Sequence, residues 1–123
     1  MTNLKLLYVD DEFVNLQLFK FNFQKQFNLY LASSGQEALE LIENENISVI
    51  ISDLKMPKMN GIELVSKIKE IYPEKVCFML SAYHISEAQN MGLNESDIFE
   101  YIAKPWKKEV LEKLLRKAYD LLG

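Results

Sequence analysis

The sequence predicts an α/β fold in which a parallel sheet of five strands is covered by five helices, on both faces. Three observations predict it. Short apolar or β-branched runs alternate with longer stretches of helical periodicity along the whole chain. The third run, Val49-Ile50-Ile51-Ser52, is apolar except at its end, as a strand buried on both faces must be. Four glycines and three prolines in 123 residues leave little chain for linkers, and no repeat or low-complexity tract interrupts the pattern, so residues 1–123 read as one domain.

Each element follows from local signals. Residues 4–9 form the first run, which stops at Asp10-Asp11. Residues 15–26 read as a helix whose core face carries Leu16, Phe19 and Phe23, with Phe27 continuing the spacing. Residues 29–32 are a short strand. Ser34 then reads as an N-cap with Glu37 completing a capping box, opening a helix that carries Ala38, Leu41 and Ile42 and fades near residues 44–46. The third strand, residues 49–52, terminates at Asp53, and residues 53–61, with Pro57 and Gly61, must be a loop. Residues 62–71 are helical, with Ile62, Val65, Ile68 and Ile71 on one face and Pro73 closing the helix. Residues 76–80 are the fourth strand, ending at Ser81, and residues 86–93 the weakest helix. Residues 99–103 form the fifth strand, ending at Lys104-Pro105. The last helix, residues 107–122, turns Val110, Leu111, Leu114, Leu115, Ala118 and Leu121 inward and keeps Lys107, Lys108, Lys113 and Lys117 in water.

Composition narrows the function classes. A chain that is 49% hydrophobic and 26% charged has the ordinary globular balance. No apolar run is long enough to span a membrane, and the first residues lack the pattern of a secretory signal. A net charge of −4 argues against a strongly basic nucleic-acid surface. Cys77, the single cysteine, cannot form an internal disulfide; it reads as a small core residue in a reducing compartment such as the cytoplasm. His84, the single histidine, follows the fourth strand with no second His or Cys placed to make a metal site. Trp106 either covers the loop at Pro105 or contributes to a docking surface.

Ligands in open parallel sheets bind outside the carboxyl ends of the strands. That rule selects Asp10, Asp11, Asp53, Ser81 and Lys104, each at or just after a strand end. Three carboxylates packed together repel one another, and such a cluster persists if a cation neutralises it. Oxygen-only donors select a hard ion, and partial protein coordination favours Mg2+. A carboxylate beside such an ion can attack phosphorus and form an acyl phosphate. Lys104 offers a positive charge and Ser81 a hydroxyl to the remaining phosphoryl oxygens. The blander readings are that Asp10 and Asp11 cap the first helix, that Lys104 is a solvated lysine, and that Tyr101 only packs in its strand. On the repulsion argument, replacing Asp10 or Asp11 by Asn should leave the fold intact or more stable.

Four segments carry a resemblance: "LYVDDE", "ISDLKMPKMNG", "VCFMLSA" and "YIAKPW". In this order, each ending its own strand, they resemble the receiver domain of bacterial two-component response regulators, including the single-domain chemotaxis regulators, over essentially the whole chain. The resemblance implies a three-layer flavodoxin-like fold with strand order 2-1-3-4-5. It implies that Asp53 is phosphorylated by a histidine kinase or phosphotransfer protein, and that Asp10, Asp11, Asp53 and the backbone carbonyl of Lys55 hold Mg2+. It makes Ser81 and Tyr101 the switch residues and Lys104 the phosphoryl grip, with a cis bond before Pro105. It places Lys55 and Tyr83 beside the phosphoryl group, where charge and a ring should slow its hydrolysis. It implies an output partner or domain reached through the face of the fourth helix, fifth strand and fifth helix, with catalysis limited to the chain's own phosphorylation and dephosphorylation. No output domain is legible in the sequence; "NESDIFEYIAKPW" resembles receivers attached to cyclic-di-GMP phosphodiesterase domains and to some kinases, with Ser96 where Gly is common there. Two other classes use similar parts. A haloacid-dehalogenase-type phosphatase needs a second Asp two residues after the nucleophile, where Lys55 stands, and an FMN carrier needs a Ser/Thr/Gly-rich loop where Asp10-Asp11-Glu12 stands.

Overall fold

Apolar strands with short turns and amphipathic helices between them leave one economical arrangement, and the computed structural model, which describes residues 4–122, adopts it. The elements are β1 (Lys5–Val9), α1 (Phe13–Phe23), β2 (Asn28–Ala32), α2 (Gly35–Asn44), β3 (Ile47–Asp53), α3 (Gly61–Ile71), β4 (Val76–Ser81), α4 (Ile85–Asn90), a 3-10 turn (Glu95–Asp97), β5 (Glu100–Ala103) and α5 (Lys108–Leu122). All neighbouring strands pair in parallel, in the order β2-β1-β3-β4-β5. Among the described residues no helix is long and apolar enough to cross a membrane.

Strand alternation divides the core into two layers. Leu6, Tyr8, Val49, Ile51, Phe78 and Leu80 face α1 and α5, where they meet Phe19, Phe23, Leu111 and Leu115. Leu7, Val9, Ile50, Cys77 and Met79 face the other way, against Ala38, Ile42, Leu64, Ile68 and Ala88. Cys77 is buried, as its apolar strand requires. Trp106 packs its indole on Phe23, ring centroids 5.5 Å apart, and edge-on to Phe19, and so ties the start of α5 to α1.

Several boundaries and faces differ from the sequence expectation. α1 ends at Phe23 rather than residue 26, and Phe27 reaches the core from beyond it. α1 carries apolar residues on both its inner and outer sides: Leu16, Phe19 and Phe23 are buried while Phe13, Val14, Leu18 and Phe21 stand in solvent. Ile71, Val110 and Leu121 are exposed, because α3 is phased on Leu64, Val65 and Ile68 and α5 on Leu111, Leu115, Ala118 and Tyr119. Ser34 caps α2 as expected, but Glu37 turns to the backbone and hydroxyl of Ser33, so the expected box is half made. The complete capping box is at α3, where Asn60 Oδ1 accepts from Glu63 N–H and Glu63 accepts from Asn60 N–H. α4 stops at Asn90 rather than residue 93, because Gly92 takes a φ of 102° and the N–H groups of Gly92 and Leu93 turn back to Gln89 and Ala88. His84 caps that helix: its Nδ1 accepts the Ser86 N–H.

Candidate functional site

The parallel sheet brings the carboxyl ends of β1, β3, β4 and β5 to one edge, and the polar residues that end these strands meet there. Asp10 follows β1 and is fully buried. A buried carboxylate must be satisfied by donors, and four reach it: Tyr8 Oη at 2.7 Å, Asn15 Nδ2 at 3.1 Å and Lys104 Nζ at 3.1 Å to Oδ2, and the Glu12 N–H at 3.0 Å to Oδ1. The Tyr8 ring is itself clamped, stacked on Phe19 with centroids 4.2 Å apart. Burial, with the Asp10 carboxylate second, pushes the Tyr8 hydroxyl far up, so it stays a donor. Asp11 is exposed beside it.

Asp53 ends β3, and Lys104 Nζ lies 3.1 Å from its Oδ1, so one ammonium bridges Asp53 and Asp10. Burial raises the proton affinity of Asp53 above the usual carboxylate range; Asp10 adds to this and Lys104 opposes it. Burial alone would lower the pKa of Lys104, but the Asp53 and Asp10 carboxylates outweigh it and hold the ammonium charged. Lys104 is positioned by β5: its N–H donates to the Ser81 carbonyl at 2.8 Å, and the Lys104–Pro105 bond that follows is cis. The loop after Asp53 is closed by Gly61, whose N–H donates to the Leu54 carbonyl at 2.7 Å. A Cβ at position 61 would sit 2.1 Å from the Asp53 carbonyl oxygen, so only glycine allows α3 to start this close to the acidic cluster.

Asp10, Asp11 and Asp53 each offer one oxygen within 4.8 Å of the others. Three hard oxygen donors, one exposed to the solvent from which waters complete a shell, fit a small divalent cation. The repulsion that this set implied in sequence is largely answered in Asp10, whose charge is met by four donors. On this geometry Asp10→Asn should instead cost stability, while Asp11, exposed, keeps the sequence expectation.

Ser81 is buried at the end of β4 and its Oγ accepts the Tyr83 N–H at 3.0 Å. Tyr101, half-buried in β5, donates its hydroxyl to the Tyr83 carbonyl at 2.6 Å. Tyr83 is thus held at both main-chain groups. Its ring lies 3.8 Å below the Lys55 ammonium, which also sits 2.9 Å from Oε2 of Glu87 in α4. Tyr8, Asn15 and Glu87 went unnoticed in the sequence. The strand period places Tyr8 on the Asp10 side of β1, a signal that was present; nothing marked Glu87. Beside the cluster, Tyr8, Asn15, Leu18, Lys104, Trp106 and Lys108 line an open cleft of about 530 Å3.

Comparison with known proteins places this geometry. A family model described as the response regulator receiver domain matches residues 6–116. The hydrogenase transcriptional regulatory protein HoxA of Cupriavidus necator is 34% identical over 118 residues, 96% of this chain and 24% of that protein. The transcriptional regulatory protein SrrA of Staphylococcus aureus is 35% identical over 92% of this chain and 48% of its own length. This chain thus spans between a quarter and a half of these two curated relatives. Among solved structures, the signal receiver domain of an HD domain-containing protein from Pseudomonas fluorescens Pf-5 superposes with a TM-score of 0.91 at 26% identity, covering 98% of both chains. The response regulator TrrA of Thermotoga maritima, solved in complex with Mg2+ and BeF, superposes with a TM-score of 0.84 at 26% identity over 94% of this chain and 98% of its own.

Proposed function

This chain belongs to the response regulator receiver domain family, and from that premise we propose that it is a phosphoacceptor switch in which Asp53 takes a phosphoryl group from a histidine kinase or phosphotransfer protein. The observation that carries this reading is the Lys104 ammonium, 3.1 Å from both Asp53 Oδ1 and Asp10 Oδ2 at the carboxyl edge of the sheet. An Asp53 oxygen attacks phosphorus, the phosphorus–nitrogen bond of the donor breaks, and the electron pair leaves with the imidazole, which is reprotonated from solvent. Lys104 shifts its contact from the free carboxylate to a phosphoryl oxygen. The Ser81 hydroxyl turns from the Tyr83 N–H to donate to another. Asp10, Asp11, Asp53 and the Lys55 carbonyl would hold Mg2+, which when bound neutralises charge on the phosphoryl oxygens.

The output is a changed surface. When Ser81 leaves Tyr83, Tyr101 loses the geometry of its own bond to that residue and turns inward, altering the face of α4, β5 and α5 that an output domain or separate target would read. The chain turns over no separate substrate; it catalyses only the gain and loss of its own phosphoryl group. The setting is the cytoplasm, and the partners are proteins rather than nucleic acid or membrane. The test is incubation with Mg2+ and acetyl phosphate, read by intact mass. Wild type should gain one phosphoryl group and Asp53→Asn none; equal uptake by the variant would refute the assignment.

A further inference from the structure

Lys55 and Glu87 belong to different elements, the loop after β3 and helix α4, and they meet over Tyr83 of a third, the loop after β4. Their side chains are each nearly half exposed, at 46% and 45%, and a pair of that kind is individually weak. Oε2 of Glu87, however, is covered, and the Lys55 ammonium 2.9 Å away is the charged partner it faces. If Lys55 leaves, that oxygen must turn to water for a partner, and the loop after β3 loses its side-chain hold on α4.

Lys55 is also two residues from Asp53, within reach of a lysine's flexible four-carbon stem. A phosphoryl group there carries close to two negative charges and three acceptor oxygens. It outbids a single half-exposed carboxylate for the same ammonium. Resting on the reading of Asp53 as the acceptor, we propose that the Lys55–Glu87 pair is a charge-operated tether: Glu87 is a positioning residue that holds α4 to the acceptor loop until the phosphoryl group draws Lys55 away. The tether touches the Ser81–Tyr83–Tyr101 path only at the Tyr83 ring and reaches α4 directly, by a side chain rather than through the backbone of the loop after β4.

Hydrogen exchange of the amides in residues 82–93 tests this, in wild type, Glu87→Gln, Lys55→Met and the double variant, with and without Mg2+ and beryllofluoride. Mimic binding is read separately by 19F resonance. Without the mimic, each single variant should exchange about two- to fivefold faster than wild type, and the double variant no faster than either single one. The mimic should raise wild-type exchange to the same level and add little to Glu87→Gln. Single variants that exchange like wild type, or mimic-bound wild type that keeps full protection of α4, would overturn the tether while leaving the acceptor assignment standing. Wild type that binds no mimic would overturn the acceptor assignment, and the tether with it.

Discussion

Asp10 and Asp11 are neighbours of the same type, and their surroundings make them physically unlike. Asp10 is enclosed and accepts from Tyr8, Glu12, Asn15 and Lys104, so an amide at that position would point N–H groups at donors. Asp10→Asn should cost about 1–3 kcal/mol, and Asp11→Asn, exposed, should lie within about 0.5 kcal/mol of wild type. Asp53 behaves in a third way. Its proton affinity is raised in the folded chain, so the native state binds a proton more tightly than the unfolded state. The Asp53 contribution to stability therefore falls as pH rises from the ordinary carboxylate value of 3.8 through the raised one, and stays lower above it. Asp53→Asn lacks that loss; it should be more stable than wild type at pH 7, with the advantage shrinking towards pH 4. Metal-free thermal melts of the three variants across this range measure all of this, and an Asp10→Asn variant as stable as wild type would refute the account of that residue.

At the scale of elements, two glycines separate steric from conformational need. At Gly61 the first turn of α3 presses on the Asp53 carbonyl, and Gly61→Ala must displace either the helix start or the strand end that carries Asp53. At Gly92 there is open space but a φ of 102°, so Gly92→Ala should cost only about 1 kcal/mol and leave the acidic cluster untouched. Melting both variants and measuring their Mg2+ affinity separates the two, Gly61→Ala losing both and Gly92→Ala only stability. A Gly61→Ala variant with wild-type metal affinity would show that the close approach does not matter to the site. Element existence was legible because burial repeats: Val49, Ile50 and Ile51 suggest a strand buried on both faces, and all three are fully buried in β3. Helix faces were less legible. In α1 a phenylalanine at nearly every turn hides which side is inner, and Phe21 is as apolar as Phe23 yet 80% exposed. In α5 Val110 and Leu121 fit an apolar stripe that Tyr119, not an obvious core residue, completes instead. The strand-end residues Asp10, Asp53, Ser81 and Lys104 were found from topology alone, but Glu87 was not, since its importance is a contact across three elements.

At the scale of the whole molecule, the site has no existence apart from the sheet. Lys104, just after one edge strand, reaches Asp10, just after a strand three places inward and 94 residues away in sequence, and only the assembled order β1-β3-β4-β5 puts them 3.1 Å apart. The two core layers share every central strand, so one should not melt without the other. Trp106 samples the α1–α5 layer through Phe19 and Phe23, whereas far-ultraviolet circular dichroism samples all helices. Urea transitions followed by the two probes should coincide; an earlier Trp106 transition would mean that the α1–α5 layer opens by itself.

Tyr83 gives its N–H to Ser81 and receives the Tyr101 hydroxyl on its carbonyl. Two instruments that play from one string cannot be tuned separately. The two bonds grip the same residue from its two sides, so a rearrangement large enough to free one bears directly on the other. On the proposed reading, the message leaving this edge of the sheet should be digital: each molecule off or on, and a partial signal a mixture of the two rather than a half-turned switch.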